Sequence, residues 1–563
     1  MTQKRSLSPL VAALMCAGLA SPAIAGEAIK FDNGMTLDWR VNSTYTLSTR
    51  LESRDHLLSG TSNPGGNDGN NNFDRGSLTA NRLSFLLDAH LFKGETGLVM
   101  SASTFYDDVY HRSNDNTFPV NKRGDVDEFT SDAKKYHGGY SRILDLYGYT
   151  SFGVGEEGRA TVRLGSHVVS WGEALFLPGI ALAQGPADGT KTGIPGTETK
   201  DQLLPEDQIS AQYEVNDKWS ILAHAQYGWH KTIAQAPGAF LSTGDSVGPG
   251  ASCLQSYVTV PAVPALGFGG YNGCSFGRRG KDIRPDDTGQ WGIGSRYRIT
   301  DETELGLYYL NYHDRTPLPE INAFTPPVVT LPAAMGGAAL GRGSYRIRYH
   351  DDIRLIGASF STMVGIAAVA GEFSYKRGAP ALVNTVINPR TGASLPTPTR
   401  ADVMQTNLNT FINFGRTILA PQTLFLAEFA YVDVSNVDAR KAVGVEAMGP
   451  AAAFFPASSD LTFANHGLAF SSTLTLTYPG IAEGLDLAIP ISYAHQLKGR
   501  TLLGGVGGEG DRRLSIGANF TYQRNLQIGL TYLGYLGSAS LDPIEYRPLT
   551  DRDQLSLVVK YSF

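Results

Sequence analysis

LSLVVKYSF, residues 555–563, closes the chain. Leu555, Leu557, Val559, Tyr561 and Phe563 fall on one face of an extended backbone. Gln554, Ser556, Lys560 and Ser562 fall on the other, and only Val558 breaks the polar side. Alternation with a period of two is the mark of a strand with one greasy and one wet face. Such a strand is either a half-buried edge of a soluble sheet or one stave of a larger closed sheet. The rest of the chain decides between them.

The chain begins with Lys4 and Arg5, then an apolar core over Leu10–Leu19, then Ala23-Ile24-Ala25. That order is a secretory signal peptide, residues 1–25, cut after Ala25. Cys16 follows Met15 rather than a small residue, which disfavours lipidation. Outside the signal no apolar run is long enough for a spanning helix. Charged residues make up only 18%, whereas Gly numbers 64 and Tyr plus Phe 51. Two cysteines, Cys253 and Cys274, remain in the mature chain and predict one disulfide in an oxidising compartment. Residues 26–563 show no linker or composition break and read as a single domain.

Eighteen alternating segments of about 10 to 14 residues can be read, and NRLSFLLDAHLF (81–92) and NLQIGLTYL (525–533) are typical. They begin near 34, 79, 95, 141, 159, 206, 218, 289, 303, 352, 365, 403, 422, 466, 484, 511, 524 and 552. Such lengths suit tilted strands that cross a bilayer. The connections are more telling. Short turns follow every even-numbered segment. Long connections follow every odd one: 52–78, 111–140, 169–205, 229–288, 314–351, 376–402, 435–465, 496–510 and 537–551. A soluble sandwich has no reason to alternate in this way. A barrel does, with tight turns at one rim and long loops at the other. The fold class expected is therefore all-β: a transmembrane antiparallel β-barrel of about 18 strands, with 16 as the alternative count. Short turns would be periplasmic and long loops extracellular. Closure is obligatory, since hydrocarbon offers no partner for a free strand edge. Trp39, Tyr45, Trp219, Tyr227, Trp229, Trp291 and Tyr312 would serve as interfacial aromatics.

The opposite parity points Asp38, Arg40, Arg82, Asp88, Asp145, Arg163, Arg296, Arg298, Glu372, Glu428, Arg513 and Lys560 into the lumen. Seven are basic and five acidic, so no ring of one sign argues for strong ion selectivity. Three loops are unusually apolar: LFLPGIALAQG (175–185), FTPPVVTLPAAMGGAALG (324–341) and AMGPAAAFFPASS (447–459). Apolar loops of that length must pack on something. They either cap the barrel together or fold inward to line a way in for greasy molecules. A Cys253–Cys274 bridge would stiffen the long connection 229–288, worth about 3 kcal/mol.

The stretch VRLGSHVVSWGEALFLPGIALAQG (162–185) carries Arg163, Gly165, Val169, Trp171, Gly172 and Glu173 in an R-x-G-x-x-x-V-x-W-G-E pattern. It resembles the hallmark of the domain-of-unknown-function 1302 family (DUF1302) of proteobacterial proteins. NRLSFLLDAHLF and the terminal KYSF fit as well, so the resemblance spans the mature chain. It implies an outer-membrane barrel associated with lipid, sterol or hydrocarbon traffic. The terminal Phe563 with Tyr561 likewise resembles the signal read by the barrel-assembly machinery. The hallmark leads into the third long connection, which in general porins folds inward and narrows the pore. Arg163, Trp171 and Glu173 are thus the candidate constriction, with Arg82, Asp88, Arg296, Arg298, Glu428 and Arg513 on the lumen wall.

No phosphate-binding glycine loop, HExxH or metal-spaced Cys/His cluster occurs, so no cofactor or metal is expected. The acidic balance, −6 overall, disfavours nucleic acid. His90, His224, His313 and His495 lie in or near strands, but none has the context of a nucleophilic site. The function expected is a non-enzymatic outer-membrane channel for hydrophobic or amphiphilic small molecules, gated by loops. A general porin for polar solutes and an outer-membrane hydrolase are the alternatives. Expected partners are outer-membrane lipid and lipopolysaccharide, the assembly machinery through Phe563, a small-molecule substrate and a periplasmic partner.

Overall fold

A computed structural model describes residues 26, 28–118 and 125–563; the stretch read as a signal peptide, residues 1–25, lies outside the described residues. Eighteen strands form one closed antiparallel sheet. They are β1 (Thr36–Arg50), β2 (Leu78–Lys93), β3 (Thr96–Asp107), β4 (Ser141–Val154), β5 (Gly158–His167) and β6 (Glu206–Glu214). Next come β7 (Trp219–Gln226), β8 (Trp291–Arg298), β9 (Glu304–Tyr312), β10 (Ile353–Val364), β11 (Ala367–Asn388) and β12 (Ala393–Gly415). The last six are β13 (Gln422–Ser435), β14 (His466–Ala482), β15 (Leu485–Lys498), β16 (Arg512–Tyr522), β17 (Leu526–Leu536) and β18 (Gln554–Ser562). Each strand pairs with its sequence neighbours. The ring closes where β18 meets β1, from Asn42 opposite Ser562 to Arg50 opposite Gln554. No strand edge is left to lipid, as the bilayer requires.

Parity holds round the ring. Leu164, Ile293, Leu307, Ile356 and Leu557 are exposed on the outside. Asn42, Ser48, Gln208, Gln405, Asn407 and Ser556 are buried on the inside. Of the aromatics assigned to the interfaces, Tyr45, Trp219, Tyr227 and Trp291 are exposed. Trp229 and Tyr312 are not among them. Trp229 is buried with its ring 5.0 Å from that of Tyr349, and Tyr312 lies inside the barrel with Leu310 and Ile353. Both stand where a strand becomes a long loop, and the loop covers them.

The count is eighteen rather than sixteen. One boundary differs from the expectation: β12 begins at Ala393, ten residues before the segment read near 403. Residues 376–402 are not a loop but a hairpin arm that continues β11 and β12 beyond the barrel. Its prolines and Gly378 hid the alternation. A bulge between Lys376 and Ala379 shifts the register, and a Thr385–Thr397 hydroxyl pair at 2.7 Å holds the arm. A bulge of this kind twists and re-aims a strand without ending it.

Strands β5–β9 run only 8 to 10 residues, while β10–β15 run 12 to 23. The wall is low on one side, and the loop leaving β5, residues 168–205, starts below the rim of the opposite wall. It turns inward. The loops leaving β9 and β13 instead pack on each other above the tall wall, with Phe324 and Phe455 edge to face at 5.3 Å. One apolar loop thus folds inward, while the other two pack together.

Candidate functional site

The third long loop crosses the lumen and is held at both walls. On the β10–β13 side, the carboxylate of Glu372 accepts the backbone N–H groups of Glu173 (2.7 Å), Ala174 (3.2 Å), Gly179 (3.0 Å) and Ile180 (3.0 Å). Glu428 accepts those of Leu175 (3.3 Å), Phe176 (2.5 Å) and Leu177 (3.0 Å). Both carboxylates are buried. Converging amides are what a buried anion needs in place of water, and hydrogen bonds to a charged acceptor are the strong kind. Between them on β12, Asn407 donates to the Leu177 carbonyl at 2.7 Å and to Glu428 at 2.8 Å. Asn409 donates to the Glu173 carbonyl at 2.6 Å. Gly172 has φ +96°, and a side chain there would collide with the Glu372 carboxylate. Glycine lets the chain turn and approach at once.

On the far wall the loop meets β18, β1, β2 and β4. Gln554 donates to the Gly193 carbonyl at 2.9 Å, and Thr46 to that of Pro195 at 3.1 Å. Lys200 reaches Asp88 at 2.6 Å and Asp145 at 3.0 Å, and Glu198 pairs with Lys560. Val558, the one residue that breaks the polar face of β18, packs on Gly196, where a Cβ would lie 2.8 Å from Val558 Cγ1. The departure from alternation is thus a contact with the loop.

Trp171 is buried at the loop's entrance to the lumen. Its ring stacks on Tyr308 (5.8 Å, 27°) and meets His224 edge-on at 4.9 Å. Its backbone N–H donates to Gln184 at 2.6 Å. Ile180 and Ala183 continue this contact into a dry cluster with Leu310, Tyr312, Ile353, Leu355 and Val403.

Open space lies on the short-turn side of the loop. One cavity of about 340 Å³ is bounded by Arg163, Trp171, Leu222 and Arg296. Arg163, exposed on the lumen face of β5, also lines a second cavity of about 250 Å³ beside Tyr147 and Lys200. A third, about 430 Å³, is bounded by Glu173, Leu175, Met363, Phe411 and Leu426. Met363 and Phe411 are 45% and 41% exposed, although they share the inner face with Asn409 and Glu428. Apolar side chains facing lumen water are the unusual feature of this wall. Burial raises the Glu173 carboxyl above the usual range, against the pull of Arg296.

The other wall residues named from sequence are dispersed. Arg82 is buried between Asp107 (3.4 Å) and the Phe105 ring (4.1 Å). Asp88 is shared by Lys200 and Arg40 (3.7 Å). Arg296 donates to the Tyr308 hydroxyl at 3.3 Å and lies 3.9 Å from Glu304. Arg298 is exposed at the short-turn end of β8. Arg513 pairs with Asp511 at 2.9 Å, near the long-loop end of β16. Cys253 and Cys274 are joined in a disulfide with Cα atoms 5.4 Å apart. Glu198 and Lys200 were not singled out by sequence. They sit in a connecting stretch with no periodicity, so parity says nothing of them.

Of the histidines, His167, not one of the four weighed from sequence, contacts a serine: Nε2 meets Ser210 Oγ at 2.7 Å. Its Nδ1 faces the Gly165 carbonyl at 2.9 Å, so a carbonyl stands where a hydrolytic triad would place a carboxylate.

Among curated protein sequences none matches. Solved structures with similar chain paths include OccAB1 of Acinetobacter baumannii (10% identity, TM-score 0.41, 96% of this chain and 99% of that one). OccK8 (OprE) of Pseudomonas aeruginosa is another (8%, 0.40, 95% and 99%), as is the A. baumannii outer-membrane channel DcaP (10%, 0.36, 96% and 100%). Identities this low carry neither substrate nor selectivity across. The sequence itself is more specific. The family model "Protein of unknown function (DUF1302)" matches residues 6–563, and the chain belongs to that family.

Proposed function

We propose that the protein is an outer-membrane channel that passes hydrophobic or amphiphilic small molecules past the third loop, which acts as its gate. One observation carries this reading: an apolar patch of Met363, Phe411 and Leu426 on an otherwise polar lumen wall, facing Leu175 of the loop across one cavity. Side chains of this kind offer no hydrogen bond to a sugar and no charge to an ion, whereas they shelter hydrocarbon. Each methylene they shelter is favoured by about 0.8 kcal/mol, enough to concentrate a greasy solute. The same sector is apolar at the outer rim, where Val328, Met448 and Phe454 are exposed. Export through the signal peptide, insertion by machinery that reads Phe563, contact with lipopolysaccharide and delivery to a periplasmic partner complete the proposal.

The test is single-channel recording and liposome uptake with the full-length folded barrel. Small, fluctuating conductance with uptake of an amphiphile is the expected result. A large, steady, ohmic conductance with rapid sugar uptake would mean a general porin.

A further inference from the structure

We propose that the cavity under Trp171 is a binding site for the carboxylate of an amphiphilic acid, with Arg163 as the residue that recognises it. The inference rests on the amphiphile-channel reading and adds the sign of the headgroup. The cavity of about 340 Å³ is bounded by two guanidinium groups, Arg163 and Arg296, and by no carboxylate. The two cations are not equivalent. Arg296 is already engaged with the Tyr308 hydroxyl and lies 3.9 Å from Glu304. The Arg163 guanidinium makes no hydrogen bond or ion pair with any described residue, and Asp145, which lines the neighbouring cavity with it, is taken up by Lys200. An exposed arginine inside a lumen, left free while its acidic neighbour is satisfied, is a fork of donors open to a carboxylate.

The surroundings fit an acid with an apolar body rather than a bare anion. Trp171, Val169 and Leu222 bound the same space as the two arginines. Trp171 and Glu173, two residues apart on the loop, bound this cavity and the apolar one. A ligand with its carboxylate on Arg163 would lie along the indole and extend toward Leu175, Phe411 and Leu426.

Three probes of one shape separate the possibilities: 4-phenylbutyrate, 4-phenylbutanol and 4-phenylbutylamine, titrated calorimetrically into the full-length barrel in lipid nanodiscs, with empty nanodiscs as the blank. The expected result is that the acid binds about tenfold tighter than the alcohol, the ratio a single charge-assisted hydrogen bond supports. Arg163→Gln should bring the acid to the alcohol's affinity, Arg163→Lys should restore part of the difference, and Arg390→Gln at the hairpin tip should change nothing. Added salt should weaken the acid alone. Heat-modifiable gel migration would show that each variant is folded. Equal affinity for acid and alcohol, strongest binding of the amine, or an unchanged Arg163→Gln would overturn the proposal while leaving an amphiphile channel. If none of the three probes binds, the amphiphile reading fails with it.

Discussion

Removal of the Glu428 carboxylate is the sharpest test of the third loop as a gate. Glu428 accepts three loop amides, at 3.3, 2.5 and 3.0 Å. Hydrogen bonds to a charged acceptor are worth about 1.5–3 kcal/mol each. The three share one carboxylate and are not additive, and a freed loop regains hydrogen bonds from water. A net loosening of roughly 3 kcal/mol is therefore a fair figure for Glu428→Ala. At 1.4 kcal/mol per factor of ten, the ratio of held to released loop falls about a hundredfold. Release is expected to be partial, because Glu372 still holds four amides and Leu177 still packs on Ala430 and Ala469. Single-channel recordings should show more frequent and longer openings in Glu428→Ala, and a persistently larger conductance in Glu372→Ala/Glu428→Ala. Glu428→Gln should fall between, since an amide NH₂ would face the loop N–H groups. If both folded variants conduct as the wild type does, the carboxylates do not hold a barrier and the gating argument fails.

Four further outcomes are expected. Gly196→Val should push the loop from the β18 wall, because a Cβ meets Val558 and Thr44 at 2.8 and 3.0 Å at a φ of +83°; the cost is about 1–3 kcal/mol, read as increased openings with an unchanged melting temperature of the barrel. Reducing the Cys253–Cys274 bond should lower the local stability of its loop by about 3 kcal/mol, seen as faster proteolysis between β7 and β8 while gel migration of the folded barrel is retained. Arg82→Ala should lower barrel stability by about 3–5 kcal/mol, because it strands Asp107 in a site where both partners are buried; equal melting temperatures would contradict this. Lastly, a hydrogen bond to Glu206 at 2.7 Å holds the His230 imidazole above its ordinary value. A raised value means that this stabilisation is fully present below the ordinary histidine range and is lost as pH climbs through the raised one. Proteolysis of the loop after β7 should thus accelerate from pH 6 to pH 9, and less so in His230→Gln.

Much of the barrel was legible in the chain because its determinants are local. A strand advertises itself by a period of two, and the outside of a barrel must be apolar at every second residue, so LSLVVKYSF and its seventeen relatives could be recognised one at a time. The alternation of short and long connections then gave strand number, closure and the sidedness of the rims. Where local chemistry was masked, the reading failed: the prolines of 376–402 concealed how far β11 and β12 extend, and Trp229 and Tyr312 looked interfacial until loops covered them. The lumen wall was legible by parity, which placed Glu372 and Glu428 inside, but not what they hold. Glu173 and Glu372 are 199 residues apart, and Glu198 and Lys560 are 362. Nothing in the neighbourhood of either residue encodes such a pairing. The sequence by itself determined a closed, polar-lined barrel with apolar loops. Only the tertiary structure decided that one of those loops crosses the lumen, which wall it grips, and that the Arg163 side chain beneath it has no hydrogen-bond or ion-pair partner among the described residues. Those outcomes follow from the ring of strands, which sets residues hundreds of positions apart across one narrow space.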